Sequence, residues 1–164
     1  MKKLFVLGLL CCGLASARAA INFSINLSGL NEVPATGSAA AGGGFASFDP
    51  VLNTISVSVS FFGLSAPATA SHIHVGAAGV NGGVIVSFVT NTPSATSGTI
   101  AGGPYAFPAA NVADLLAGRT YYNIHDATFP GGEIRGQLTP VPEPSTAVLA
   151  ALGLAAVALR RRRR

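Results

Sequence analysis

The chain contains three histidines, and their spacing is what could do chemistry. His72 and His74 lie one residue apart in SHIHVGAAGVNGG, Ser71 to Gly83, and His125 sits in YYNIHD. On a strand, residues i and i+2 share a face, so His72 and His74 stand close enough to hold one metal ion between them. A catalytic zinc site takes three protein ligands and keeps a further position open, and imidazole suits both zinc and copper. His72, His74 and His125, with Asp126 or Glu133 as a carboxylate, meet that count. The same residues can instead be a hydrogen-bonded polar network in which histidine, glutamate and arginine buttress a hairpin. Glu32, Glu133 and Arg135 are its expected members, through a Glu32–Arg135 or Glu133–Arg119 pair. The polar network with no cofactor is the expected reading, and bound zinc or copper is the alternative to it.

Each of these side chains needs an element to hold it, and the hydrophobic pattern supplies strands. TISVSVSFF puts Ile55, Val57, Val59 and Phe61 on one face and Ser56, Ser58 and Ser60 on the other, the alternation of a half-buried strand. INFSINLSG alternates likewise through Ile21, Phe23, Ile25 and Leu27. Further strands are predicted at 44–48, 70–75, 84–89, 97–100, 120–125 and 133–138. DPVLN and TFPGG are turns between strands. Only NVADLLAGR reads as a helix, with Asn111 as cap, Leu115 and Leu116 packing, and Gly118 as its end. About eight short strands with Gly/Pro/Ser/Asn-rich connections predict an all-β fold, a single antiparallel β-sandwich. In it, Ile73, Val75, Ile124 and Ile134 face the core. The histidines therefore point away from it, His125 beside Glu133 and Arg135, because one face of each strand is buried.

The two ends are not part of that fold. Lys2 and Lys3 precede an apolar run and small residues at Ala15, Ala17 and Ala19, the pattern of a secretory signal peptide cut by signal peptidase after Ala17 or Ala19. Both cysteines, Cys11 and Cys12, leave with it, so the mature domain has no disulfide framework and no zinc–thiolate site. The division is 1–19 signal peptide, 20–140 β domain and 141–164 tail. Between Ile21 and Pro140, Arg119 and Arg135 face five carboxylates, a net charge of −3, so the excess of +4 belongs to the ends. Nucleic acid binding, which needs a basic footprint, is excluded. In the tail, Pro142-Glu143-Pro144 precedes the apolar run Ala147 to Leu159 and the arginines Arg160, Arg161, Arg162, Arg163 and Arg164. That run is shorter than the roughly 17–25 residues of a spanning helix.

The tail resembles the PEP-CTERM sorting signal of Gram-negative bacteria: the proline–glutamate–proline motif, a short hydrophobic helix, then an arginine cluster. The resemblance implies transient insertion in the inner membrane, recognition by an exosortase-type protease, and release to the cell surface or extracellular matrix. LSGLNEVP, HIHVGAAGVNGGVIV and YYNIHDATFPGGEIRGQL, in that order, resemble the CHRD domain, which implies an extracellular β-rich module and no particular reaction. A His-x-His strand followed by glycine is also how copper/zinc superoxide dismutases begin their metal site. The chain departs from that family in having too few histidines for both metals and no cysteine pair in the mature domain. No nucleophile elbow, cofactor loop or catalytic carboxylate pair is present. The expectation is a non-enzymatic exported surface or matrix module that binds a protein or polysaccharide of the envelope or biofilm. The competing class is a metal-binding protein or small redox enzyme built on His72, His74 and His125.

Overall fold

The computed structural model describes residues 19–88 and 92–142, with Gly153 and Arg160 besides. The expected signal peptide and hydrophobic tail helix lie outside the described residues. Among those described, no helix is long and apolar enough to cross a membrane.

The elements are β1 Ile21–Ser28, β2 Ala41–Asp49, β3 Thr54–Phe62, β4 Ala68–Val75, β5 Val84–Ser87, β6 Gly98–Ala106, α1 Val112–Leu116, β7 Thr120–Asp126, β8 Ile134–Gln137 and β9 Thr139–Pro140. The strands form one antiparallel sheet in the order β5-β4-β7-β8-β1-β2-β3-β6, with β9 paired to β1. The sheet curls until its two ends approach: Phe88, just past β5, meets Tyr105 of β6 edge-on at 5.0 Å. A single apolar core fills the space between the halves, built from Phe23, Ile25, Phe48, Ile55, Ile73, Ile100, Ile124 and Ile134 among others. Every second residue of β1 and β3 enters it, as the period-two pattern dictates. The fold is the antiparallel all-β architecture that the sequence predicts.

Local chemistry sets the corners. Asp49 closes the β2–β3 turn by accepting from the Val51 and Leu52 amides at 2.8 and 3.0 Å. The helix differs from its prediction in two places. Asn111 makes no side-chain cap bond, because a 3₁₀ turn, Ala109–Asn111, already leads into α1. Leu115 is buried but Leu116 is 45% exposed, since one short turn can aim only one of two adjacent leucines at the core.

The larger departure is on β7. All seven of its residues are buried, Tyr121, Asn123 and His125 as well as Tyr122 and Ile124. The expectation that one face of each strand stays open fails here because loops lie across the outer face. Their placement decides the site.

Candidate metal centre

Register brings the histidines together. In the β4–β7 ladder His72 faces Asn123, His74 faces Tyr121 and Ala70 faces His125, so His125 is the diagonal neighbour of His72 on the same face. One ligand nitrogen from each of His72, His74 and His125 lies within 4.8 Å of the others. His72 Nδ1 and His125 Nε2 are 3.0 Å apart. The rings of His72 and His125 meet edge-on at 4.9 Å between centroids, and those of His72 and His74 at 5.6 Å.

Two backbone carbonyls fix the tautomers. His74 Nδ1 lies 3.0 Å from the Gly82 carbonyl and His125 Nδ1 lies 3.0 Å from that of Pro130. A carbonyl only accepts, so each Nδ1 carries the proton and each Nε2 keeps its lone pair. His72 Nδ1 then donates to His125 Nε2. His74 Nε2 is buried and has no hydrogen-bond partner. Imidazole that donates one nitrogen to a carbonyl and presents the other is the arrangement in which histidine ligates metal.

The imidazoles are held neutral. Burial first, then the neighbouring His125 and His74, lowers His72 to about 4. Burial also lowers His74, with the Gly82 bond opposing and the charge of Arg135 adding. His125 is lowered by burial, against its bond to Pro130 and with help from His74. Neutral imidazole is the ligating form.

A layer of polar side chains supports this cluster. His74 stacks on Tyr121, 4.9 Å between centroids and 7° between planes, and the Arg135 guanidinium carbon lies 4.1 Å from the centre of the same tyrosine ring. Arg135 is 1% exposed and donates to Asn81 Oδ1 at 2.9 Å and to the Val80 carbonyl at 3.2 Å. It thereby holds the 76–83 loop against β8 and keeps the Gly82 carbonyl at His74. A side chain at Gly82 would collide with the Val75 carbonyl, so that approach requires glycine.

The carboxylates do not join the imidazoles. Glu133 accepts from Ser38 Oγ at 2.6 Å, from Ser65 Oγ at 2.8 Å, and from the Ser65 amide. Asp126 accepts from the Ala66 and Phe129 amides at 2.8 and 2.6 Å. Both are spent on tying loops to the β7–β8 hairpin. Neither expected ion pair forms. Arg119 pairs with Asp114 at 2.9 Å, the one ion pair among the described residues. Glu32 is buried with Oε1 unpartnered. Burial lifts its pKa to about 7, against the attraction of Arg135 and the Val33 amide. Pro142 is described but carries no element; Glu143, Pro144, Arg161 and Arg162 lie outside the described residues.

Sequence reasoning had no account of Tyr121, or of the Gly82 and Pro130 carbonyls. The glycine-rich run after His74 and the tyrosine opposite it were the available signals. Compared with known families, residues 23–138 match the CHRD domain and residues 140–164 match the PEP-CTERM protein-sorting motif. Neither a curated protein nor a solved structure matches the chain.

Proposed function

The chain belongs to the CHRD domain family and ends in a PEP-CTERM sorting motif, and from that premise we propose that it displays a transition-metal site at the cell envelope, with His72, His74 and His125 as ligands. The sorting motif makes it an exported, envelope-associated protein processed by an exosortase-type enzyme. In this reading the tail is cut close to Pro142-Glu143-Pro144. The released domain works by binding, to its metal and to a protein or polysaccharide of the envelope, without turning over a substrate.

The buried, unpartnered Nε2 of His74 beside two further imidazoles carries the metal reading. A purely structural network satisfies its buried polar atoms, and here one of the four unpartnered side-chain atoms among the described residues belongs to a histidine of the cluster. Ideal ligation places nitrogens about 2.0 Å from the metal, hence about 3.5 Å from one another in a trigonal set. The observed 3.0 Å pair and 4.8 Å limit bracket that value, so closure takes shifts of about an ångström, with the His72 proton moving from Nδ1 to Nε2 so that Nδ1 can ligate.

Thermal melting of the exported protein with increasing zinc or copper tests it. Binding to the folded state adds about 2.7 kcal/mol at a free metal concentration of 100 Kd, and His72→Ala/His74→Ala should abolish the shift. No shift, or an equal one in the double variant, returns the cluster to a structural role. Superoxide turnover lost in His72→Ala would replace the binding module with a redox enzyme.

A further inference from the structure

We infer that the ion this site selects is copper, held preferentially as Cu(I); the inference rests on the three-histidine reading above. Three features of the centre point the same way. The first is charge. The ligand atoms are three neutral nitrogens, and the two carboxylates nearest in sequence, Asp126 and Glu133, are committed to Ala66, Phe129, Ser38 and Ser65. No anionic ligand offsets the ion, so a bound Zn(II) or Cu(II) leaves two positive charges in a partly buried site and Cu(I) leaves one. Desolvation penalises the doubly charged centre more.

The second feature is the neighbouring cation. Arg135 is buried against the Tyr121 ring on which His74 stacks, and its fixed positive charge again disfavours the higher charge state of a nearby metal. The third is ligand number. Zinc completes a tetrahedral shell, with a water or other ligand in the fourth place when the protein gives three. Cu(I), a closed-shell d¹⁰ ion of low charge, is satisfied by three imidazoles. His74 and His125 are both buried, while His72 alone of the three is partly open, so burial already limits the access of a fourth ligand. Among divalent ions copper also stands above zinc in general affinity for nitrogen sites, so Cu(II) outcompetes zinc, and the charge argument favours the reduced state further.

The exported protein, stripped of metal, would be titrated under nitrogen with Cu(I) against bicinchoninate in ascorbate, and with Cu(II) and Zn(II) against chromophoric chelators of known affinity. The expected result is one equivalent of Cu(I), bound at least about 100-fold more tightly than Zn(II), with a Cu(II)/Cu(I) potential above that of aqueous copper. His72→Gln and His74→Gln should each weaken Cu(I) binding by more than about tenfold, with far-ultraviolet circular dichroism showing that the strands persist. Histidine-dependent binding in which zinc equals or exceeds Cu(I) overturns the copper inference and leaves the metal site standing. Binding of no metal, or binding indifferent to both variants, overturns both.

Discussion

Along β3 the outward side chains Ser58, Ser60 and Phe62 are exposed, whereas along β7 every residue is buried. The two strands alternate by the same rule and send their apolar residues into one core. What separates them is the second layer. Among the described residues nothing covers the outward side chains Ser58, Ser60 and Phe62 of β3, while the 76–83 loop and the 126–132 turn bring the Gly82 and Pro130 carbonyls onto the outer face beside β7. Loops are rich in backbone groups that need partners, and covering a strand with them creates the buried polar contacts that orient imidazoles. Two of the unpartnered side-chain atoms among the described residues belong to that outer face, His74 Nε2 and Asn123 Oδ1.

The sharpest way to break this contrast uses two carboxylates with the same job in the two regions. Glu133 holds Ser38 and Ser65 from a fully buried position, and Asp49 holds the Val51 and Leu52 amides at the exposed β2–β3 corner. Glu133→Ala empties a fully buried carboxylate site and takes the shared partner from the half-buried Ser38 and the more open Ser65, and should cost about 2–3 kcal/mol. Asp49→Ala hands its amides to water and should cost about 1 kcal/mol. Urea denaturation measures both. Equal losses would mean that the loop layer does not isolate its polar groups from solvent.

Glu32 sharpens the contrast through pH. Its folded pKa lies near 7 against an ordinary 4.5, so the folded state holds the proton more tightly than the unfolded chain. The sign follows: its contribution is most favourable below about 4.5, declines as pH rises through the window to about 7, and is flat above. Glu32→Gln removes the ionisation and retains the shape. It should match the wild type at pH 4 and exceed it at pH 8 by about 1–2 kcal/mol, the full shift being discounted for solvent near the side chain. The histidines, lowered by burial, contribute with the opposite sign, but they are common to both proteins and cancel in the difference. A difference independent of pH would show that Glu32 is ionised and solvated like a surface carboxylate.

The fold was legible because its information is local. Alternation at Ile55, Val57, Val59 and Phe61, the Asp49 turn and the His-x-His spacing are each written within a few residues. The convergence of His72 with His125 was legible in part, since parity places both on an outer face. What parity does not carry is coverage. Tyr121 reads as an outer-face residue, and only the arrival of Arg135 from β8 and Gly82 from the loop makes it a stacking platform. Glu133 reads as a neighbour of His125, yet its carboxylate goes to Ser38 and Ser65, which no hydrophobic period marks as partners. Loops without apolar patterning give no sign of where they lie, so the residues they cover are misjudged as exposed.

The smallest expected effect tests the bare side of the comparison. Ser58 sits at the centre of β3, facing Phe45 on β2 and Ala101 on β6, and its side chain is exposed. Replacing it with alanine removes a hydroxyl that water already serves. The change lowers strand propensity slightly, alanine being depleted in strands, and leaves the core residues Val57 and Val59 on either side untouched. Stability should move by less than about 0.5 kcal/mol, the usual range for surface substitutions. A loss above about 1 kcal/mol, on the scale of a lost buried hydrogen bond, would mean that this face is covered in the protein as it exists, by a second molecule or by a segment outside the described residues. Measuring the same variant at two protein concentrations separates those cases, because only an intermolecular cover gives a concentration-dependent melting temperature.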